Sequence, residues 1–280
     1  MSMVVELIRK VGRQRNLSPR TIKTYICVVQ KFLRIYRKDV HSIKKKDIEN
    51  HLKRVYHKSG STQNVHLSAL KFLFEKVLNK RLTVNIPMAK ENSRLPGFLT
   101  KQEVSQLLSV IYNKKHKLMV TLLYSAGMRV SELVHLKVKH FHFDSNFGWV
   151  RNGKGGKDRI FIIAQLLRDE LQQWIKQNNL KEDDWLFKGH KFQMTTSAVR
   201  EILKSARRRA KINKHVHPHM LRHSFATHLI ENGYAVTDVQ PLLGHKNLET
   251  TLIYTHLAAP KLLNIKSPFD SLQEIGQSNT

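Results

Sequence analysis

Apolar residues recur at helical spacing through most of this chain, and the period changes to two in only one region. In the first third, four amphipathic segments are predicted helices: Ser2–Arg15, Ser18–Tyr36, Lys46–His57 and Ser61–Leu78. The second is the plainest. Ser18 followed by Pro19 is an N-cap and first-turn pair, and Ile22, Tyr25, Ile26, Val29, Phe32, Leu33 and Tyr36 follow three or four residues apart. The fourth gathers Val65, Ala69, Leu70, Phe72, Leu73 and Val77 on one side. Short helices with one apolar stripe hide it only against each other, so these residues predict a small four-helix bundle over 1–86.

Periodicity lapses between Pro87 and Pro96, around the polar run Lys90–Arg94, which predicts a linker over 87–97. A second domain is expected over 98–258. It opens on Thr100 and Glu103, spaced as a capping box, with Val104, Leu107, Leu108 and Ile111 continuing the helix. Leu118–Tyr124 predicts another, halted near Gly127 and restarted over Ser131–Leu136. From Val138 to Ala164 the alternation of Phe141 and Phe143, Trp149 and Val150, and Ile160–Ile163 predicts a small three-stranded antiparallel sheet with two turns. Helices return at Gln165–Gln177, Thr195–Ala210, Pro218–Asn232 and Val236–Leu243. The fold class is therefore mainly α, two domains and a tail, 259–280.

Charge adds a partner class. The 280 residues hold 49 Lys+Arg against 21 Asp+Glu, a formal +28, and residues 1–90 alone hold 21 against 5, a net +16. Such an excess steers association with nucleic acid, an anionic membrane surface or another polyanion, and says nothing about fold. With 41% hydrophobic residues a core can form, which excludes a disordered basic tail. The longest apolar stretch, Leu118–Met128, is interrupted by Thr121, Ser125 and Gly127 and is too short to span a bilayer, so no membrane partner is expected. Met1–Leu17 mixes apolar and basic residues without a cleavage site, and the expected location is the cytoplasm. Cys27, the one cysteine, sits among Ile26, Val28 and Val29 and is expected to be a buried, inert thiol.

Four segments of the second domain gather cations and imidazoles where the chain turns. In Gly127-Met128-Arg129-Val130-Ser131-Glu132, an Arg after a Gly break can face an anion or simply pair with Glu132. Gly153-Lys154-Gly155-Gly156-Lys157-Asp158-Arg159 is a flexible strand turn whose Lys154 can swing as a mobile ammonium, or a plain hairpin. It lacks the helix context of a nucleotide loop, and no ATP site is expected. In His217-Pro218-His219-Met220-Leu221-Arg222-His223, the imidazoles of His219 and His223 share a helix face. A divalent cation beside Arg222 is electrostatically poor, so no metal is expected, and His219 with Arg222 makes an anion claw instead. Last comes Leu242-Leu243-Gly244-His245, with Tyr254 nine residues after the His; alone, such a Tyr reads as half-buried packing.

Taken together and in order, these motifs resemble the active site of the tyrosine recombinases, the phage integrase family, and the layout is most similar to Xer-type site-specific recombinases. Met128, where the family commonly has Leu, is a mild departure. The resemblance implies a SAM-like core-binding first domain and a catalytic second domain. It implies that Tyr254 attacks a DNA phosphodiester to give a 3′-phosphotyrosine, with a Holliday junction as intermediate. Arg129 and Arg222 would grip the non-bridging oxygens, with His219 and His245 adding hydrogen bonds. His219 would also help deprotonate Tyr254, and Lys154 would protonate the departing 5′ oxygen. Glu132 would orient the cluster. Neither metal nor ATP is needed for this chemistry. Implied partners are double-stranded DNA with an inverted-repeat site and three further protomers on that DNA, joined through the tail, Leu257–Ile275, whose apolar residues have packing on their own protomer as the alternative. Whether an accessory or translocase protein takes part stays open, as does chromosome dimer resolution against mobile-element integration. The location implied is the nucleoid. Alternatives are a nicking or relaxing enzyme like the type IB topoisomerases, using the same tyrosine chemistry, and a DNA-binding protein with a decayed site.

Overall fold

The computed structural model describes residues 2–80, 89, 97–151, 153, 158–244 and 249–257. The chain divides into two compact units, Met1–Arg94 and Leu95–Thr280. Most of the expected linker and all of the tail at 259–280 lie outside the described residues.

The first unit is built from α1 (Ser2–Gln14), α2 (Pro19–Tyr36), α3 (Lys45–Arg54) and α4 (Gly60–Lys71). The Ser18 hydroxyl caps α2 by accepting from the Thr21 amide at 3.1 Å, the role its place before Pro19 predicts. Ile8, Phe32, Leu70 and Leu73 are fully buried where the apolar stripes meet, each contributing roughly 1.5–3 kcal/mol of burial. The expected single helix over Ser61–Leu78 is divided. After α4 the chain widens into a π-helical segment, Phe72–Val77, in which the Leu78 amide donates to the Leu73 carbonyl at 3.0 Å. The wider turn directs three consecutive large residues, Phe72, Leu73 and Phe74, into the core.

Cys27 is exposed, contrary to expectation. Its sequence neighbours are apolar, but helical residues step around the axis by about 100°. Cys27 therefore stands roughly opposite the stripe of Ile22, Val29 and Leu33 that meets the core.

The same core buries two histidines. His51 Nε2 and His66 Nδ1 lie 3.0 Å apart, and His51 Nδ1 has no hydrogen-bond partner. Burial, with His66 and nearby cations, pushes His51 down from 6.5 to about 4, and burial also lowers His66. The neutral forms are favoured on folding, so their contribution is complete above the unfolded value near 6.5 and is lost as pH falls from there toward 4. Each histidine that differs fully removes about 1.4 kcal/mol per pH unit. Hydrogen exchange of α3 and α4 in urea is expected to show a lower unfolding midpoint at pH 5 than at pH 7.5; equal midpoints would contradict the assignment.

The second unit contains α5 (Lys101–Ser109), α6 (Lys114–Ser125), α7 (Val130–Val134), β1 (Phe141–His142), β2 (Phe147–Val150), β3 (Arg159–Ile162), α8 (Gln165–Gln177), α9 (Thr196–Arg209), α10 (Pro218–Glu231), α11 (Val236–Leu243) and α12 (Glu249–Leu257). The capping box of α5 is made: Thr100 Oγ1 accepts from the Glu103 amide at 3.2 Å, and Glu103 Oε2 accepts from the Thr100 amide at 2.8 Å. The sheet is antiparallel in the order β1-β2-β3, with Phe147 opposite Ile162 and Val150 opposite Arg159. That register turns Val150, Arg159 and Phe161 inward and leaves Ile160 and Ile162 exposed. Helix α10 is buried on most sides, polar residues included. Ser224 Oγ accepts from the Leu99 amide at 2.8 Å and donates to the Met220 carbonyl at 2.8 Å. Among the described residues no helix is long and apolar enough to cross a membrane.

Candidate active site

Three of the sequence motifs of the second unit have described residues at element boundaries, and those boundaries converge. Helix α6 stops at Gly127, whose φ of +54° lies in the left-handed region. A Cβ there would come within 2.4 Å of the Phe225 ring on α10, so only Gly lets the turn approach that closely. The next residues run extended into α7, and Arg129 is the residue just before that helix. Glu132, one turn on, folds back: its Oε2 accepts from the Arg129 amide at 2.9 Å and its Oε1 from Arg129 Nη1 at 2.6 Å.

The Arg129–Glu132 pairing, one of the two roles open to that Arg in the sequence, is thus present but sits inside a larger cluster. The Glu132 side chain is only 3% exposed. Its Oε2 also accepts from Arg159 Nη2 at 2.7 Å and lies 3.9 Å from Arg222 Nη1. Arg222, on α10, donates to the Gly127 carbonyl at 2.7 Å and to the Leu243 carbonyl at the end of α11. Arg159 donates to the adjacent Leu242 carbonyl. A helix C-terminus is the favourable end for cations. Helix α11 closes on Gly244 in the left-handed region, φ +59°, with Arg159 Cδ 2.9 Å from where a Cβ would stand.

Three guanidinium groups around one carboxylate leave a surplus of two positive charges. Burial opposes the Glu132 charge, but Arg159 and Arg129 outweigh it and hold the carboxyl below the usual range. Burial, with Arg129 and Arg159, lowers Arg222 to about 9, so it stays charged at neutral pH. A site of this kind is completed by an anion. Removing the one carboxylate exposes the balance. Glu132→Ala is expected to destabilise the second unit by roughly 3–5 kcal/mol, read from the denaturant midpoint of tryptophan fluorescence. Trp149, Trp174 and Trp185 all lie in this unit; an unchanged midpoint would contradict the cluster.

Tyr254 lies on α12 and is 2% exposed, packed with Phe225, Ala226, Val239 and Leu243. Burial raises its phenol pKa, with Arg222 and Arg129 pulling the other way. Its Oη lies 2.9 Å from His223 Nδ1. His219 is exposed, and partial desolvation with Arg222 and Arg129 lowers its pKa. Lys154 and His245 lie outside the described residues.

Two functional residues escape the sequence motifs. Arg159 ends a turn in the sequence, and its alternation with Phe161 places it on the inward face of β3. His223 shares a helix face with His219 at a spacing that suits a metal, and it touches the tyrosine instead.

A family model described as the phage integrase family matches residues 97–261, and one described as the phage integrase N-terminal SAM-like domain matches residues 5–84. The chain is 35% identical over 274 residues to a tyrosine recombinase of Thermosipho africanus, covering 92% of this chain and 96% of the other. It is 37% identical over 261 residues to tyrosine recombinase XerA of Pyrococcus furiosus, covering 90% and 87%. Among solved structures, XerA recombinase is similar with a TM-score of 0.54 and 28% identity, over 100% of this chain and 99% of that one. XerH site-specific recombinase, bound to a palindromic difH substrate after cleavage, is similar with a TM-score of 0.74 and 25% identity, over 95% and 85%.

Proposed function

The chain belongs to the phage integrase family and is a tyrosine site-specific recombinase, and from that premise we propose that it cleaves and rejoins duplex DNA through a 3′-phosphotyrosine on Tyr254. The observation that carries the proposal is the buried cluster of Arg129, Arg159 and Arg222 around Glu132, two charges in surplus, packed in the unit that also holds the Tyr254 phenol.

The chemistry follows from the groups. Tyr254 Oη bonds to phosphorus as the bond from phosphorus to the 5′ oxygen breaks. The phenol gives up its proton to His219, and Lys154 supplies one to the 5′ oxygen. Negative charge gathers on the non-bridging oxygens, where preorganised donors stabilise it most. Arg129 and Arg222 are the donors, each with a planar fork suited to two oxygens, and His219 and His245 add hydrogen bonds. Glu132 fixes the forks and Arg159 fixes Glu132. A tyrosine ester of phosphate keeps the bond energy, so an incoming 5′ hydroxyl reverses the step without ATP. These side chains supply the positive charge themselves, so the reaction needs no metal.

The surface charge has the complementary task of holding phosphates, and binding is expected to weaken steeply with salt. Two recombining sites need four protomers, a Holliday junction between rounds and an inverted repeat at each site, with the tail exchanged between neighbours. The reaction takes place on cellular DNA in the cytoplasm. Incubating the protein in EDTA with two duplexes that share its site is expected to yield joined strands of mixed origin. Relaxation of any supercoiled plasmid without site preference, and no joining, would favour a topoisomerase-like activity instead.

A further inference from the structure

Among the described residues, an imidazole in contact with the proposed nucleophile belongs to His223, to which the family pattern gives no part. We propose that His223 is a positioning residue for Tyr254, its Nδ1 accepting the phenolic hydrogen so that the hydroxyl is held with an oxygen lone pair directed elsewhere, for phosphorus. The inference rests on Tyr254 being the nucleophile.

Three observations carry it. The Tyr254 ring is packed against Phe225, Ala226, Val239 and Leu243, and its hydroxyl reaches His223 Nδ1 at 2.9 Å; a hydroxyl buried this deeply is costly without a partner. The two rings lie 5.6 Å apart between centroids and are tilted by 45°, so they do not stack and meet instead through the Oη–Nδ1 contact. Most important, His223 directly follows Arg222 on α10. That helix is fixed where Arg222 donates to the Gly127 and Leu243 carbonyls. The distance from phosphate grip to the acceptor that holds the nucleophile's hydroxyl is therefore set along one rigid element, an arrangement that helps keep a reacting pair in register.

The direction of the hydrogen bond follows from charge. Burial, together with His219, His217 and Arg222, lowers His223 to about 4, so the ring is neutral at pH 7. Burial keeps the hydrogen on the phenol in the resting protein. A neutral ring with its hydrogen on Nε2 leaves Nδ1 to accept, whereas a protonated ring would donate and occupy the lone pair that must attack.

The test uses the full chain and a nicked duplex carrying a sequence that the wild-type protein captures covalently from random DNA. His223→Leu is expected to form covalent adduct about 100-fold more slowly in single turnover, by loss of alignment, with DNA affinity unchanged. His223→Asn, whose side-chain oxygen stands near the place of Nδ1, is expected to recover most of that loss. Wild-type speed in the Leu variant would overturn the proposal alone, as would an Asn variant as slow as Leu, since the ring's bulk and not its acceptor would then matter. A wild-type protein that captures no DNA would overturn this inference together with the function it rests on. Independently of activity, nitrogen NMR at pH 7 is expected to find His223 with Nδ1 unprotonated and Nε2 protonated; the opposite tautomer would overturn the proposal even if a variant failed to fold.

Discussion

Tyr254→Phe is expected to abolish covalent protein–DNA adducts on a nicked suicide substrate while leaving binding to the same duplex intact. The substitution removes one oxygen from a ring otherwise packed among Phe225, Ala226, Val239 and Leu243. Packing is conserved, and what is lost is the atom that forms the bond to phosphorus. The hydrogen bond to His223 goes with it, leaving a half-buried neutral imidazole without that partner, at a cost of about 1–3 kcal/mol. That cost falls on stability, and the loss of adduct is complete. Adducts that persist in the Phe variant would mean another side chain attacks.

Arg222→Ala is expected to slow cleavage by a factor of about 10³ or more, on the scale of a lost oxyanion donor. The reason lies in what holds the guanidinium. It is 3% exposed, donates to the carbonyls of Gly127 and Leu243, and stands 3.9 Å from Glu132. A group fixed this way does not reorganise as charge builds on the phosphate, which is where preorganised electrostatics outperform water. Arg222→Lys keeps the charge without the planar fork and is expected to recover only part of the rate. Affinity for DNA should fall little in either variant, since the many cationic side chains spread over the surface share that task. Single-turnover cleavage beside a binding titration separates the two quantities; near-normal cleavage by the Ala variant would contradict the phosphate-grip role.

Much of this was legible in the sequence because the signals were local. The Ser18–Pro19 cap, the Thr100–Glu103 box and the change of period at Val138 each depend on neighbours within a turn or a strand, and each stands in the fold. The bounds of α8 and α11 agree with their predicted ranges for the same reason. What escaped depends on direction in three dimensions. Cys27 lies among apolar residues along the chain yet faces away from them around the helix. The division of α4 from the π-helical segment answers a tertiary demand, three consecutive side chains sharing one core. Arg159 and His223 were visible as residues, but their partners Glu132 and Tyr254 lie 27 and 31 positions away in sequence. Spacing within a motif reveals which groups share a helix face; it does not reveal which groups meet across elements.

The charge that first pointed to a polyanion thus has two components with different physics. Most of it is distributed over the surface, densest in residues 1–90, where salt screens it. A small part is gathered around the buried Glu132, where salt screens it far less, and is poised for an anion.

The proposed chemistry rests on a covalent bond between Tyr254 and DNA. The most direct measurement is mass spectrometry of the adduct trapped on a nicked suicide substrate, after protease and nuclease digestion. One modified peptide is expected, carrying a nucleotide joined through its 3′ phosphate to the oxygen of Tyr254. A nucleotide on any other residue, or one joined through its 5′ phosphate, would contradict it.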